Sequence, residues 1–489
     1  MSGTLKDRAY TGVFWSAASQ LSLQASRFVV GVILARILAP EQFGVIAMTY
    51  VFLAIADALA SSGFRDALIQ KRESSILDES SVFYFSVGVS LALAAVLALS
   101  APLVERFYGQ PGLGDVLRWV CLSLVFRGAS IVYVSLAVKR LAFKAQFKVQ
   151  ALASVLAGSA AIAMALSGFG VMSLVAQVLV TDFLSLLLYP VFVRWKPAFA
   201  FSPLALREMF GFGSKMFLSG LVGAVMSELY SVVVGKFYSA ASLGFYSRAR
   251  QLQQLPVMFI SSVIGKVALP VFSQLNGSEE RFSRGLRSSV GMACFLGFPL
   301  MAGLAAVAAS LVPVLLGPKW SESIPLLRLF CLVGATYPLR YLAVGALAAL
   351  GQSGDVLRVE VLGKSLVLVL LFIVVWGGGA IWSVVVVEFI ASLIYLGAAS
   401  RALWRRSGYS YGEQARDVLP SLGIAGLMGL CVAAMELLPL EGAWLLGTQC
   451  MAGAALYFGL AKLARLEGLR EFQAAFEKLL GRRSRGASA

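Results

Sequence analysis

VLRVEVLGKSLVLVLLFIVVWGGGAIWSVVVVEFIASLIYLGAAS, residues 356–400, decides the fold class. It holds two apolar runs, 356–375 and 379–400, each matching the ~20 residues that cross a bilayer as a helix. The runs are unbroken, without the polar–apolar alternation of barrel strands. Hydrocarbon admits only helices or closed barrels, because every backbone polar group must be satisfied within the protein. Helices are therefore the reading.

The same pattern extends over the chain. Of 489 residues, 59% are hydrophobic and 13% charged, with a mean hydropathy of +0.83. A soluble chain of this size carries about 25% charged residues. Spans fall near 12–35, 43–64, 81–103, 115–137, 149–167, 170–193, 211–234, 252–274, 288–312, 324–350, 356–375, 379–400, 418–437 and 442–461. In the eighth, Pro256, Lys266 and Pro270 interrupt the apolar face, which leaves a kinked span or an interfacial helix. The expected fold is an all-α polytopic membrane protein of about 14 transmembrane helices.

Basic residues set the orientation. With the N-terminus in the cytoplasm, segments on that side hold 28 Lys and Arg against 6 opposite. The positive-inside rule then puts both termini inside. It also accounts for the net charge of +16 without any nucleic acid; part of that charge attracts anionic membrane lipids. No connection is long enough for a catalytic or nucleotide-binding domain. Gly363-Lys364-Ser365 matches the end of a P-loop, but Arg358 stands where the first glycine belongs. Neither a catalytic constellation, a cofactor nor a metal is expected. The five cysteines lie in apolar runs and read as small buried hydrophobes.

An internal repeat is visible. LARILAPEQFG (34–44) and VGKFYSAASLG (234–244) share a basic residue, an aromatic and a closing glycine, and RWVCL (118–122) pairs with RLFCL (328–332). Spans 1–6 and 7–12 read as related six-helix lobes, with two helices appended. A parallel repeat of this kind places a substrate site between the halves. The expected division is 1–200, 201–410, 411–465 and a basic tail, 466–489.

Charges inside spans carry the chemistry. Each one near mid-bilayer costs about 2.5–3.5 kcal/mol if it faces lipid. Arg27, Arg127, Arg340, Lys266, Lys364, Asp57, Asp182, Glu228 and Glu388 must therefore meet water or one another. Glu360 and Lys364, four apart, also read as a structural pair. Arg65 and Asp66 read as a solvated cap. The cationic surplus suits an anionic substrate, since Arg grips phosphate with two parallel hydrogen bonds. With His absent, Asp57, Glu228 and Glu388 are the candidate ion-coupling groups.

The stretch FWSAASQLSLQASRFVVGVILARILAPEQFGVIAMTYVFLAIADALASSGFRDALIQKRE (14–73) resembles the opening of bacterial Wzx-type polysaccharide flippases. These belong to the multidrug/oligosaccharidyl-lipid/polysaccharide exporter superfamily. LGFYSRARQLQQLPVMFISSVIGKVALPVFSQL (243–275) is similar to a second motif of that family. The resemblance implies two six-helix lobes in a V around a cavity, plus two C-terminal helices. It implies translocation of a polyprenyl-pyrophosphate-linked oligosaccharide, of the undecaprenyl-pyrophosphate type, across the bacterial inner membrane by alternating access. Coupling to an ion gradient and work beside a polysaccharide polymerase or export complex are further expectations. Arg27, Arg127, Arg340, Lys266 and Lys364 would then compensate phosphate. Lys236, Arg248 and Arg250, near the far end, either receive the head group or cap a helix. Trp15, Tyr50, Tyr230 and Tyr246 either stack on sugars or form the interfacial belt. A drug or cation exporter would want an acidic cavity instead, and a glycosyltransferase or polymerase a large outside loop.

Overall fold

Gly44 and Gly244, the closing glycines of the repeated motif, meet each other's helices. A Cβ on Gly44 would run into the backbone of Ala240, and one on Gly244 into that of Pro40. The contact is reciprocal, because Pro40 and Ala240 occupy the same place in the two copies of the repeat. Only glycine allows the backbones this close.

The structure is a computed structural model that describes residues 24–61, 63–71, 73–274 and 279–472; the side chains of 210–216, 219, 262–274, 279–281 and 353 lie outside the description. Every regular element among the described residues is helical. Two units divide the chain, Met1–Ser247 and Arg248–Ala489.

The first unit contains α1 (24–37), α2 (Pro40–Ser61), α3 (Phe64–Gln70), α4 (Ile76–Tyr108), α5 (Leu113–Val120), α6 (Leu122–Lys139), α7 (Phe143–Leu166), α8 (Val171–Val193) and α9 (Pro203–Phe237). It also holds the first turns of α10 (Ala240–Gln274). Helix α7 shows how the packing works. Ala153, Ala157 and Ala161 recur every fourth residue and are fully buried. Such small-residue stripes let helices close on one another where lipid provides no hydrophobic drive. One end of the unit is a dense apolar cluster around Phe64, Leu68, Val132, Tyr133, Leu136 and Trp195. Beside it, α4 begins with a capping box: Ser75 Oγ accepts from the Asp78 amide at 3.1 Å, and Asp78 Oδ2 accepts from the Ser75 amide at 2.9 Å. Lys71 Nζ sits 2.8 Å from the same Asp78 oxygen.

The second unit holds the remainder of α10, then α11 (Glu279–Ala306), α12 (Ala308–Leu316), α13 (Ser323–Ala349), α14 (Ser353–Trp376), α15 (Ile381–Ser407), α16 (Tyr411–Ala434) and α17 (Gly442–Leu463). A short turn of helix, 467–472, follows. Helices α11 and α16 are riveted at one end: Arg287 reaches both oxygens of Asp417, each at 2.9 Å, and Tyr409 Oη donates to Asp417 Oδ2 at 2.8 Å. Burial and that bond to Asp417 hold the Tyr409 phenol above its ordinary pKa.

Among the described residues, 12 helices are long and apolar enough to cross a membrane. They fall in order on the second to seventh and ninth to fourteenth expected spans. The first expected span, 12–35, lies mostly outside the described residues. The eighth, 252–274, forms the later part of the 35-residue helix α10. The architecture is thus all-α and polytopic, and the count of about 14 spans is approximate. Of the cysteines, Cys121, Cys294 and Cys331 are buried as expected, whereas Cys431 and Cys450 are exposed.

Candidate functional site: a charged cavity in the first unit

A polar cavity of about 480 Å³ opens among α1, α2, α3, α6, α7 and α8. Its charged lining is Arg27, Asp57, Arg65, Arg127 and Asp182, three guanidinium groups against two carboxylates. Hydroxyl and amide groups of Ser61, Ser130, Gln150, Thr181, Ser185 and Tyr189 complete the wall.

Local packing places each charge. Ser26 and Ser154 share a hydrogen bond of 2.8 Å between α1 and α7, which fixes the turn carrying Arg27. Gly128 brings α6 against α4, since a Cβ there would overlap the Ser90 side chain. That approach sets the depth of the preceding residue, Arg127. Arg127 Nε donates to Asp182 Oδ2 at 2.8 Å, so this guanidinium is neutralised within the wall. Gln150 and Tyr189 stand in the same wall. Arg27 and Arg65 make no ion pair among the described residues. The cavity therefore carries one guanidinium in excess of its carboxylates, with Arg27 and Arg65 outside any close ion pair, and such groups suit an anion.

The structure brings together Arg27, Arg127 and Asp57 of the expected site. It adds Arg65, which the sequence suggested was only a cap. Glu228 is not among the residues lining this cavity; it lies within electrostatic reach of Tyr108. Lys236 donates to the Phe107 carbonyl at the end of α4 and covers the Phe107 ring. Arg248 donates to Gln251 Oε1 at 2.6 Å on its own helix, α10, which also carries Arg250. The side chain of Lys266 lies outside the described residues, as does Trp15. Tyr230 and Tyr246 are buried and cannot present a ring face, while Tyr50 is exposed.

Arg340, Lys364 and Glu388 belong to the second unit. The Arg340 guanidinium lies 4.3 Å over the Tyr395 ring. Tyr395 Oη donates to Glu360 Oε1 at 2.8 Å, and Lys364 Nζ is 3.3 Å from the other Glu360 oxygen. The pairing of Glu360 with Lys364 expected from their spacing is thus present. Glu388 stands two turns before Tyr395 on α15.

This cluster repeats the first unit. DFLSLLLY (182–189) aligns with EFIASLIY (388–395), matching Asp182 to Glu388 and Tyr189 to Tyr395. Gln150 stands 210 positions before Glu360; Glu360 accepts from Tyr395, and Gln150 lines the cavity with Tyr189. That repeat was available in the sequence and would have flagged Gln150 and Tyr189 as site residues.

Residues 33–325 match the family described as polysaccharide biosynthesis protein. The chain belongs to this family. Curated relatives include the succinoglycan biosynthesis transport protein ExoT of Rhizobium meliloti, 29% identical over 334 residues, 68% of this chain and 67% of ExoT. The lipopolysaccharide biosynthesis protein WzxC of Escherichia coli is 25% identical over 334 residues, 68% of each chain. Among solved structures, the lipid II flippase MurJ superposes with a TM-score of 0.73 over 92% of this chain and 98% of MurJ, at 14% identity. A multidrug-resistance transporter of the wider superfamily matches at 0.55 over 79% of this chain and 96% of its own, at 16% identity. The polysaccharide biosynthesis family thus shares its fold with the flippase and exporter superfamily expected from residues 14–73 and 243–275.

Proposed function

We propose that this protein is a flippase that moves polyprenyl-pyrophosphate-linked oligosaccharide units across the bacterial inner membrane for polysaccharide biosynthesis. The observation that carries the proposal is the excess of guanidinium over carboxylate in one polar cavity, where Arg27 and Arg65 make no close ion pair among the described residues and stand beside Arg127. The family, and relatives named for lipopolysaccharide and succinoglycan biosynthesis, point the same way.

Dragging a pyrophosphate through hydrocarbon is prohibitive, because a bare buried charge loses its hydration without replacement. Arg27 and Arg65 replace that hydration with charge-assisted hydrogen bonds. Arg127, held by Asp182, turns from carboxylate to phosphate when the head group arrives. Asp57, in the same wall, and Glu228 and Glu388, elsewhere, are the groups that would take up a proton or cation in compensation. The chain acts as a transporter and not an enzyme, works with both termini in the cytoplasm, and supplies a polymerase or export complex. Arg340, Lys364 and the α10 arginines, Arg248 and Arg250, are proposed to handle substrate elsewhere on its path.

The test is deletion in the host, complemented with wild-type, Arg27→Gln and Arg65→Gln chains. Loss of secreted polysaccharide with a build-up of lipid-linked repeat units, rescued by wild type and not by the variants, is the expected result. Full rescue by both variants would remove the cavity from the mechanism.

A further inference from the structure

Near the middle of α13, Tyr337 and Tyr341 stand one turn apart with ring centroids 6.3 Å apart and planes inclined by 22°. The rings stack, offset along the helix. Both are more than a third exposed. Neither hydroxyl has a hydrogen-bond partner among the described residues. Between them in sequence lies Arg340, whose Nε is buried without a partner while its guanidinium covers Tyr395. Their neighbours along α13, among them Thr336, Pro338 and Leu342, are buried.

A hydroxyl left bare in hydrocarbon loses its hydrogen bonds to water without replacement. Two such hydroxyls one turn apart near the middle of a span are poorly placed against lipid tails. This face of α13 therefore meets water or a polar ligand. The ligand must offer apolar surface to two rings and also hydroxyl groups to the two Tyr Oη atoms. A pyranose does both: its C–H face lies on an aromatic ring while its equatorial hydroxyls reach the rim.

We infer that Tyr337 and Tyr341 form the subsite that carries the sugar portion of the lipid-linked substrate. This rests on the flippase reading but not on the phosphate cavity. The rings discriminate glycan from bare lipid; the arginines of the first unit grip the phosphate. The aromatic surface is sequence-tolerant, since any pyranose presents a C–H face.

The test uses the full chain in lipid nanodiscs and two probes: undecaprenyl pyrophosphate, and lipid-linked repeat units extracted from the host. Native mass spectrometry reads the bound fraction. The Tyr337→Leu/Tyr341→Leu double variant should lose roughly ten-fold in affinity for the glycan-bearing lipid, about 1.4 kcal/mol. It should hold the bare pyrophosphate lipid as wild type does. Tyr337→Phe/Tyr341→Phe, which keeps the rings, should recover most of the loss and shows that the fold tolerates change there. Equal loss for both probes, or no loss for either, would overturn the inference. Failure of the wild-type chain to hold the bare pyrophosphate lipid would instead count against the phosphate cavity, leaving the glycan comparison intact.

Discussion

Arg127 Nε and Asp182 Oδ2 lie 2.8 Å apart and join α6 to α8 across the cavity wall. Their side chains are 35% and 16% exposed, so the pair is partly shielded but still reached by water. It neutralises one of the three cavity arginines and holds it ready. Removing only one partner leaves a shielded charge without compensation, which costs more than removing both.

Asp182→Ala should therefore destabilise by about 1–3 kcal/mol, below the 3–5 of a fully buried pair. Arg127→Met/Asp182→Leu should recover most of that loss. Thermal unfolding in detergent measures stability, and polysaccharide secretion measures transport. The double variant should be stable and inactive; a stable, active double variant would make the pair structural only.

Gly44→Ala and Gly244→Ala each set a methyl group against a backbone carbonyl of the other repeat. Backbone cannot rotate away as a side chain can, so each should cost at least about 1–3 kcal/mol. The two substitutions should behave alike, because the contact is reciprocal. Expression level and monodispersity on size exclusion give the readout, with Gly88→Ala, which meets nothing within 4 Å, as the control.

Asp417→Ala breaks the double hydrogen bond to Arg287 and the bond from Tyr409 at once. Arg287 remains partly exposed and can turn to water, so the loss should be about 1–2 kcal/mol rather than that of a buried pair. A lowered melting temperature with secretion retained at permissive temperature is the expected pattern.

The helix 467–472 docks on α11, with Gly468 close against the Gly291 carbonyl and Phe295, and Phe472 against the Phe295 ring. Burial there holds the Glu471 carboxyl above its ordinary pKa. The docked state consequently binds a proton more readily than the undocked one. Docking should be strongest at acid pH and weaken as pH rises through the raised value. Limited proteolysis beyond residue 463 across pH should show this, and Glu471→Gln should abolish the dependence.

Composition and run length were enough to expose the helices, because lipid leaves a spanning chain no other option. The repeat of 34–44 in 234–244 coincides with a contact that the pattern alone did not announce: Gly44 and Gly244 pack each other's copies. The site was only half legible. Arg27, Arg127 and Asp57 stand out as charges in apolar runs. Arg65 did not, because a charge at a span end has a cheap explanation in solvent. Gln150 and Tyr189 carry no charge to betray them, and Tyr337 and Tyr341 look like ordinary apolar bulk until their exposure is known. Tyr230 and Tyr246 mislead for the opposite reason, since burial cannot be read from residue type.

Binding of undecaprenyl pyrophosphate against undecaprenol, which shares the tail but lacks the charge, tests the cavity most directly. Wild type in nanodiscs should retain the pyrophosphate and release the alcohol, and Arg27→Gln/Arg65→Gln should lose roughly 100-fold or more in affinity for the pyrophosphate, given about 1.5–3 kcal/mol for each charge-assisted bond. Equal binding of the pyrophosphate by wild type and the double variant would contradict the assignment of the cavity to the phosphate.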